Sequence, residues 1–448
     1  MTTADSQDSP VTRLARFAIA PDAARRFDRR HLTNLFVNYV GCALAGARTS
    51  TLDTALRASQ AWSSPGAARP IGRQERVSLS EAVRLDCLSS AEFAFDDTHL
   101  ATILHPTGPV ASALLGIARA QRLDGGAFLD ALAVGIEIQC RVALAFASPR
   151  AGAKLGWYAT GLAGGIGAAA AVGRVLAFDV HQLSTAMALA AATAGGNRAT
   201  HGSMATPFVP AVAAESGFRA ALLAQAGFTC NAGALDGRNG LVPLVAEHPD
   251  WALALEDLPS GLETARTMVK PYPCGIVVHP TVDGCLRLVR EHGTTPETLE
   301  QLTLGVSSAA AALSNNRNPR NFYESCVSLY YWAASILLIG RADLSQIETS
   351  LMASPEVAAL QARISIEEMP SLDADQCQVN ATLRSGKKLS FLVDQVTGST
   401  KQPLTDAGVD GKFLALAGRA MPQPQAERML AACRNVAALT SVANLLEA

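Results

Sequence analysis

A short segment at residues 95–106, FDDTHLATILHP, gathers groups that can move protons and hold a substrate. Two adjacent carboxylates, Asp96 and Asp97, precede Thr98 and two histidines, the second of which is His105. Histidine suits general acid–base catalysis because its unperturbed pKa lies near neutrality. At a helix end, adjacent carboxylates point about 100° apart, so one could orient a histidine or bind a substrate while the other caps the next turn. A structural polar loop, with Asp97 and Thr98 only as caps, is the alternative.

A second cluster, GWYATG, begins at Gly156. It places the hydroxyls of Tyr158 and Thr160 at the N-terminus of the helix that follows, where anions bind favourably. The alternative interpretation is a packed aromatic residue next to a helix cap.

A third cluster, NRATHGSM, begins at Asn197 and joins two apolar stretches. Arg198 could clamp a carboxylate through paired N–H donors, and His201 and Ser203 stand close to it in the sequence. A solvated loop between helices fits the same pattern equally well.

A fourth cluster, KPYPCGIVVHP at residues 270–280, contains three prolines that hold the chain extended. It lies where the sequence pattern changes, so Lys270 and His279 could reach a cleft between two lobes, where ligand sites tend to lie. A structural linker is the alternative. No neighbouring residue in the sequence activates Cys274, which favours a packed cysteine over a reactive thiol.

The remaining motifs narrow the chemistry further. Residues 315–320, NNRNPR, could supply carboxylate-binding arginines, but an exposed loop fits better. The sequence contains no phosphate loop, dinucleotide fingerprint, nucleophile elbow or metalloprotease helix. The histidine, lysine, aspartate, threonine and tyrosine residues of the clusters suit proton transfer next to a carboxylate without a cofactor.

The elements that must position these groups belong to a long and weakly charged chain. Its 448 residues indicate two domains, or one domain with an attached lobe. Charged residues make up only 17% and hydrophobic residues 49%, which is typical of closely packed helices and of a large buried surface that could include a subunit interface. The net charge of −2 provides no basic field for nucleic acid or an anionic membrane. Nine scattered cysteines without CxxC or zinc spacing predict reduced thiols, a cytoplasmic location and no metal site.

Two segments are candidates for targeting or membrane insertion. The stretch MTTADSQDSP at residues 1–10 has no basic region and no apolar run, so we expect a frayed tail and not a signal peptide. The uncharged stretch that starts at Gly156 consists mainly of glycine and alanine, which contribute little transfer free energy. It therefore predicts a buried helix and not a membrane span.

Apolar residues recur at intervals of three and four from Val11 to about Phe228, which predicts helices throughout this region. The clearest helical stretches are residues 30–44, 109–120, 126–146, 158–176 and 180–194. Ser78 resembles the first residue of a capping box that begins the helix leading into the two aspartates. No strand-rich segment interrupts the region, so the first lobe is predicted to be all-α.

The pattern changes near Lys270. The segment that follows predicts two strands at 302–308 and 363–368, a helix at 322–339, and a hairpin with strands at 376–383 and 388–393. Helical periodicity returns after about Gln402, at residues 411–420 and 426–437. This C-terminal helical segment could rejoin the first lobe and make the α+β unit an insertion.

Together these motifs resemble those of the MmgE/PrpD family, which includes 2-methylcitrate dehydratases, cis-aconitate decarboxylases and an iminodisuccinate epimerase. The matching stretches are FDDTHLATILHP, GWYATG, THGSM followed by AAESG, and VKPYPCGIVVHP. The resemblance covers nearly the whole chain and implies a mainly α fold. A large all-helical domain, residues 1–268 plus 403–448, would carry an inserted smaller α+β lid domain, residues 269–402. The resemblance also implies a homodimer that needs no cofactor or metal.

The resemblance implies a lyase that removes a proton from, or delivers one to, the carbon next to a carboxylate. We expect hydration or dehydration of a hydroxylated or unsaturated di- or tricarboxylic acid, similar to the reaction of 2-methylcitrate dehydratases. Decarboxylation of the cis-aconitate decarboxylase type, epimerisation, and a non-catalytic binding protein with the family's fold are the alternatives. We expect no nucleic-acid or membrane partner.

The resemblance assigns roles to residues of the four clusters, because Thr98 and His105 match positions that line the family's active site and Lys270 and His279 match its hinge motif. His105 is the expected acid or base. The catalytic candidates are His105, Thr98, Asp97, Tyr158, Lys270 and His279. The substrate-binding candidates are Asp96, Arg198, His201, Ser203 and Thr206.

The chain departs from the family's motifs at several of these positions. Ala94 stands where many members have an acidic residue, and Tyr158 replaces the histidine of GWHATG. Thr206 and Val209 replace a lysine and a histidine. A tricarboxylate carries about three negative charges that are costly to desolvate without cations, so a smaller or less charged acid is the more plausible substrate. Tyr158 could still donate a proton, and His201 could replace the lost histidine.

Overall fold

The computed structural model describes residues 9–62, 66–258 and 262–446. Most of the segment expected to be a frayed tail, residues 1–8, lies outside these ranges. Within them helices predominate, so the predicted mainly α fold class is confirmed. No helix in the described ranges is long and apolar enough to cross a membrane, and the glycine-rich stretch after Gly156 forms a buried helix.

The helices before residue 260 form what we call the first helical segment. They are α1 (Pro10–Ile19), α2 (Arg29–Gly46), α3 (Ser50–Trp62), α4 (Leu79–Ala91), α5 (Thr107–Ala120), α6 (Gly125–Ala147), α7 (Ala159–Val175), α8 (Val180–Ala192), α9 (Ala205–Gln225), α10 (Gly233–Asp236), α11 (Leu241–Val245) and α12 (Trp251–Ala254). Ser78 caps α4 as predicted, since its hydroxyl accepts a hydrogen bond from the backbone N–H of Glu81 at 3.2 Å. In a capping box the Glu81 carboxylate would also accept a hydrogen bond from the backbone of Ser78. It instead accepts hydrogen bonds from Ser59 and Arg84.

Helix α7 lies at the centre of this segment and packs against α5, α6, α8 and α9. It approaches α6 closely where Gly135 faces Gly167. A Cβ atom on Gly167 would lie 2.5 Å from the Gly135 carbonyl oxygen, and one on Gly135 would lie 2.8 Å from that of Gly167. Only glycine fits at such a backbone contact. The close packing fixes the position of the α7 N-terminus, which carries the GWYATG cluster.

The α+β unit follows, and its helices are α13 (His279–His292), α14 (Ser308–Ser314), α15 (Phe322–Ser325), α16 (Leu329–Ile339), α17 (Thr349–Met352) and α18 (Pro355–Gln361). Its strands are β3 (Leu299–Val306), β4 (Ile364–Glu368), β5 (Cys377–Leu383) and β6 (Lys388–Val393), in the sheet order β4-β3-β5-β6. Strands β3 and β4 are parallel, and the other pairs are antiparallel. The predicted hairpin is confirmed, and Gly386 supplies a φ of +81° at its turn.

One predicted helix of this unit is interrupted in the structure. Residues 322–339 form two helices because the chain turns at Ser328, whose hydroxyl accepts a hydrogen bond from Tyr331 N at 3.1 Å and caps α16. A serine side chain competes for backbone donors in this way and favours a new helix start over continuation.

The C-terminal helices are α19 (Asp406–Ala417) and α20 (Gln423–Arg434). Phe413 of α19 packs on α2, where a Cβ atom on Gly41 would lie 3.1 Å from the phenylalanine ring. Val409 and Phe413 belong to the same apolar core as the first helical segment, whereas Leu302, Trp332 and Val379 belong to a separate core in the α+β unit. The domain boundaries at residues 268 and 402, and the role of the α+β unit as a lid, stay predictions.

The first lobe is not entirely helical, which corrects the all-α expectation. Thr98 and His99 form a two-residue strand, β1, which pairs antiparallel with β2 (Thr267–Met268). Strand β2 begins the hinge segment, which we define as residues 267–278. The pair therefore joins the FDDTHLATILHP loop to the hinge segment.

Candidate active site

The loop that carries the two aspartates is held in a strained conformation. Ala94 and Ile103 have φ values of +49° and +52°, a region that residues with a Cβ atom rarely occupy and that a β-branched residue strongly disfavours. Mutual backbone hydrogen bonds between His99 and Leu104, at 2.8 and 3.3 Å, close the turn between them. Strained residues of this kind persist only where surrounding contacts hold them, and they cluster at functional sites.

His99 anchors this loop and takes no part in the chemistry that we propose. It is fully buried, its Nδ1 lies 2.9 Å from Thr102 Oγ1, and its Nε2 lies 2.9 Å from Glu263 Oε2. Both ring nitrogens therefore have partners within the protein. The glutamate precedes the hinge segment, so this contact is a second tie between the loop and the hinge.

His105 is oriented so that one ring nitrogen remains free. Its Nδ1 lies 3.0 Å from the carbonyl oxygen of Asp97 and 3.1 Å from Thr98 Oγ1. A carbonyl oxygen only accepts hydrogen bonds, so Nδ1 carries the proton and Nε2 holds a lone pair. Nε2 makes no hydrogen bond with any residue in the described ranges. Burial lowers the pKa of His105 to about 4, so the imidazole is neutral at physiological pH and is available as a base.

Asp96 and Lys270 lie beside this imidazole. Asp96 Oδ1 is 3.6 Å from His105 Nδ1 and 3.4 Å from Lys270 Nζ. The lysine is fully buried and also donates to the carbonyl oxygen of Ala94 at 2.9 Å. This ammonium group therefore supports the strained residue and places a positive charge near His105.

Asp97 points away from Asp96, as the spacing of the two carboxylates indicated. Its Oδ2 accepts hydrogen bonds from the backbone N–H and the hydroxyl of Thr107, at 3.2 and 2.7 Å, and so caps α5. Burial, with a smaller contribution from the Asp96 charge, raises the pKa of Asp97 to about 7. This carboxyl group therefore changes charge in the neutral pH range.

Three aromatic rings form a row at the N-terminus of α7. The ring of Tyr158 lies edge-on to His105 at 6.3 Å and edge-on to His201 at 5.3 Å between ring centroids. The hydroxyl of Tyr158 makes no hydrogen bond with any described residue, and burial raises its pKa, so the phenol keeps its proton. Thr160 accepts a hydrogen bond from His105 N at 3.0 Å and thus holds the histidine backbone. Tyr158 and His201 lie on the same side of the protein, as their proposed joint role requires.

Arg198 brings a cation to the same region. Its Nε donates to the carbonyl oxygen of Trp157 at 3.0 Å, and its terminal nitrogens make no hydrogen bond or ion pair with the described part of the chain. Burial is the main cause that lowers the pKa of His201 to about 4, and the Arg198 charge contributes to that shift. The guanidinium group therefore lies within electrostatic range of His201.

Ser203 and Thr206 have local partners instead of facing His105. Their hydroxyls donate to the same acceptor, the carbonyl oxygen of Thr200, at 2.7 and 3.0 Å. Ser203 is exposed and shapes the turn before α9. Substrate binding by these two residues stays a prediction.

His279 is a buried imidazole at the start of α13. Neither ring nitrogen makes a hydrogen bond within the described residues, and the ring packs against Tyr272 at 5.3 Å. Burial, and then the charge of Lys270, lowers its pKa. His279 is therefore neutral and lies within electrostatic range of Lys270.

Two further sequence candidates have structural roles. Cys274 is fully buried and burial raises the pKa of its thiol, so it is a packed cysteine. In the exposed loop at 315–320, Arg317 donates to the carbonyl oxygens of Gln361 and Ile364, and Arg320 pairs with Glu324.

Lys412 is a site residue that the sequence motifs did not reveal. It comes from α19, and its Nζ donates to the carbonyl oxygens of Phe95 at 2.7 Å and Lys270 at 2.8 Å. The signal in the sequence is one lysine within the otherwise apolar stretch KFLALAG. Such a pattern does not identify the partners, because Lys412 lies 317 positions from Phe95 and 142 positions from Lys270.

The α+β unit touches the helical region beside the third cluster. Asn321 Nδ2 donates to the carbonyl oxygen of Gly202 at 3.2 Å. Tyr323 donates its hydroxyl to Glu92 Oε1 at 2.7 Å, and the rings of Phe322 and Phe93 meet at 5.5 Å. These contacts join the α+β unit to the helical region, and Phe93 and Phe322 belong to a small apolar cluster apart from the two larger cores.

The chain is similar to known proteins along most of its length. Residues 13–254 match the MmgE/PrpD N-terminal domain, and residues 272–437 match the MmgE/PrpD C-terminal domain. The chain is 25% identical over 424 residues to the cis-aconitate decarboxylase of Mus musculus, which covers 90% of this chain and 85% of the relative. Over 418 residues it is 24% identical to the cis-aconitate decarboxylase of Homo sapiens, with coverages of 90% and 86%. Over 452 residues it is 23% identical to that of Aspergillus terreus, with coverages of 92% and 90%. Because the two domain matches together span most of its length, the chain belongs to the MmgE/PrpD family.

Proposed function

We propose that this protein is a cofactor-independent lyase that dehydrates a hydroxylated carboxylic acid, with His105 as the base. The orientation of His105 is the observation that carries this proposal. The Asp97 carbonyl oxygen, 3.0 Å away, fixes the proton on Nδ1 and leaves Nε2 as an unprotonated group near Tyr158 and Arg198. A resting base suits a reaction that starts by removing a proton from carbon.

In this mechanism the Arg198 guanidinium group binds the substrate carboxylate, and the buried Lys270 ammonium group adds a second positive charge beside His105 without touching the substrate. Their charges stabilise the negative charge that develops when the neighbouring carbon loses its proton. His105 Nε2 takes that proton, and the electron pair of the C–H bond forms the carbon–carbon double bond. The hydroxyl group on the next carbon leaves as water after Tyr158 donates its phenolic proton. The proton on His105 returns to Tyr158 through solvent, which restores both groups.

The charges near His105 favour a substrate with one or two carboxylates. Among the described residues around it, Arg198 has unpaired terminal nitrogens, whereas Lys270 shares its charge with Asp96 at 3.4 Å. A third carboxylate would need a further cation to offset its desolvation. Thr206, which bonds the backbone of its own turn, supplies none.

Decarboxylation is the second candidate, and the names of the relatives favour it. In this reaction the bond between carbon and the carboxylate breaks, carbon dioxide leaves, and the remaining carbanion takes a proton from Tyr158. His105 would then orient the acid and would not act as the first base. The unprotonated Nε2 in the resting site is why we rank dehydration first.

We also propose that residues 269–402 act as a lid on a helical domain made of residues 1–268 plus 403–448. The contacts of Asn321 with Gly202 and of Tyr323 with Glu92 support this role, because they join the α+β unit to the helical region and the first lies next to His201. A lid that closes over the site would exclude water from the proton transfer.

A homodimer is the assembly that we propose. The outer face of α9 leaves Phe208, Val212 and Leu223 exposed, and several exposed large apolar side chains on one helix are compatible with an interface between subunits. A cytoplasmic location stays a prediction.

Proton NMR of the purified protein in heavy water tests the proposed activity. The panel contains malate, citramalate, citrate, 2-methylcitrate, cis-aconitate and iminodisuccinate, and each acid is followed for deuterium uptake and for new olefinic or methylene signals. His105→Gln should lose the reaction. His248→Gln, at an exposed histidine, is the matched control and should keep it.

The outcomes separate the alternatives. Olefinic product with loss of water supports dehydration, whereas carbon dioxide release with deuterium in the product supports decarboxylation. Equal turnover by His105→Gln and the wild type would remove His105 as the base. Binding of an acid in saturation-transfer spectra, without exchange or turnover of any acid, would favour the non-catalytic binding protein.

A further inference from the structure

Lys412 connects three parts of the chain that are far apart in sequence. Its stem is half-buried, while its ammonium group lies inside and donates to Phe95 O and Lys270 O at 2.7 and 2.8 Å. The ammonium also lies 3.6 Å from the centroid of the Phe95 ring, which adds a cation–π contact. A charge buried with this many specific contacts is not explained by packing alone.

The two carbonyl groups that Lys412 binds belong to the segments that present the site. Phe95 directly precedes Asp96, and Lys270 lies two residues beyond the strand pairing between Thr98 and Met268. The side chain of Lys270 in turn donates back to Ala94 O. Lys412 therefore binds one backbone carbonyl group of the Asp96 loop and one of the hinge segment. Lys270, which belongs to the hinge segment, also joins the two segments, because its side chain binds the Ala94 carbonyl group.

Lys412 is also the partner on which one of these carbonyl groups depends. Within the described residues no other donor forms a hydrogen bond with Lys270 O. Phe95 O, in contrast, also accepts a hydrogen bond from the Cys42 thiol at 3.4 Å. An apolar side chain at position 412 would leave the Lys270 carbonyl group buried and unpaired. Such a group favours local rearrangement toward water.

We propose that Lys412 is a positioning residue of the active site, whose ammonium group fixes the spacing between the Asp96 loop and Lys270 and thereby the surroundings of His105. The effect on catalysis rests on the function proposed above. The effect on the structure of the two segments does not depend on that function.

The charge of this group gives the proposal a pH dependence. Burial lowers the pKa of Lys412 to about 8. The titratable groups that face it are Cys42 and Lys270, together with Asp96 and Asp97. Below that pH the charged group makes strong hydrogen bonds to both carbonyl oxygens, and above it the neutral amine makes weaker ones. The two segments should therefore loosen as the pH rises through about 8.

Hydrogen exchange tests this inference without a substrate. In the wild type, the protection of backbone amides at residues 94–105 and 267–270, corrected for the intrinsic exchange rate, should fall roughly tenfold between pH 7 and pH 9.5. In Lys412→Met these amides should already show the lower protection at pH 7. Lys412→Arg, which keeps the charge, should restore most of it, and Lys401→Met, at an exposed lysine of the same region, should leave it unchanged.

Protection in the wild type that stays constant to pH 9.5 would overturn the inference, and this result is accessible even if Lys412→Met does not fold. Unchanged protection in a folded Lys412→Met protein would overturn it as well. With an identified substrate, kcat of Lys412→Met should fall by roughly 10²-fold through misplacement of the site, with recovery in Lys412→Arg. Loss of protection in a protein that turns over no acid would contradict the proposed function and leave the positioning role intact.

Discussion

The charge state of Asp97 can be tested without knowing the substrate. In the folded protein burial raises the pKa of this carboxyl group from 3.8 to about 7, although Thr107 donates two hydrogen bonds to it. A carboxyl group with a raised folded-state pKa holds its proton more tightly in the native state than in the unfolded chain. The free energy of unfolding therefore falls as the pH rises from about 4 to about 7, and it then stays at the lower level.

The substitution Asp97→Asn removes this titration and keeps an oxygen atom that can accept from Thr107. The interval between 3.8 and about 7 corresponds to about 4 kcal/mol, at about 1.4 kcal/mol for each pH unit. For a chain of 448 residues, with an unfolding entropy of about 2.1 cal/mol/K per residue, roughly 1 °C in melting temperature corresponds to each kcal/mol. The variant should therefore match the wild type near pH 4 and melt about 4 °C higher at pH 8.

Thermal unfolding of both proteins between pH 4 and pH 8, followed by circular dichroism, measures this difference. Asp373→Asn, at an exposed aspartate, controls for the general effect of removing a negative charge and should show no such trend. If the difference between Asp97→Asn and the wild type stays the same at every pH, Asp97 is ionised throughout in the native state. The hydrogen bonds from Thr107 would then outweigh burial, and the argument for a neutral carboxyl group near pH 7 would fail.

Three further predictions concern the candidate site and its contact with the α+β unit. Tyr158→Phe should lower kcat by roughly 10²-fold in steady-state assays if the phenol is the acid, with a melting temperature close to that of the wild type; an unchanged kcat would assign the acid to another group. Because burial lowers the pKa of His105 to about 4, kcat/KM should be independent of pH between about pH 5 and pH 7. It should decrease at pH values below about 4, where His105 becomes protonated. A decrease centred near pH 6.5 would indicate a solvated histidine instead. Tyr323→Phe leaves the buried Glu92 without the hydrogen bond from the α+β unit. The variant should therefore lower the free energy of unfolding by about 1–3 kcal/mol and increase hydrogen exchange at residues 321–325. Unchanged values would exclude this contact as a link between the α+β unit and the helical region.

Local periodicity predicted most of the elements. The helices from Arg29 to Ala192 and the hairpin around Gly386 follow from apolar spacing and turn residues, which act over a few positions. The strand pair of Thr98 and Met268 could not be found in this way. A two-residue strand has no periodic signal, and its pairing depends on contacts between distant parts of the chain.

The geometry of the candidate site was predictable where its residues lie in one short segment. The divergence of Asp96 and Asp97 follows from their adjacency, and the bond between Thr98 and His105 joins residues only seven positions apart. Lys412 was missed because its contacts with Phe95 and Lys270 arise only from tertiary structure. The tautomer of His105 could not be predicted from the sequence, because it depends on the position of the Asp97 carbonyl oxygen.

The strain in the loop and the charges around it are parts of the same arrangement. Ala94 and Ile103 each cost about 1–3 kcal/mol in their left-handed conformations, and an isolated loop would relax from them. Lys270 holds the Ala94 carbonyl group at 2.9 Å, and His99 holds Glu263 next to the hinge segment at 2.9 Å, so contacts made on folding offset this cost. The proposed base, His105, is thus already oriented before a substrate arrives, and the proposed reaction needs no rearrangement of the loop. This explains why a chain with 17% charged residues buries several of them at one place: the ions fix a geometry that apolar packing alone does not specify.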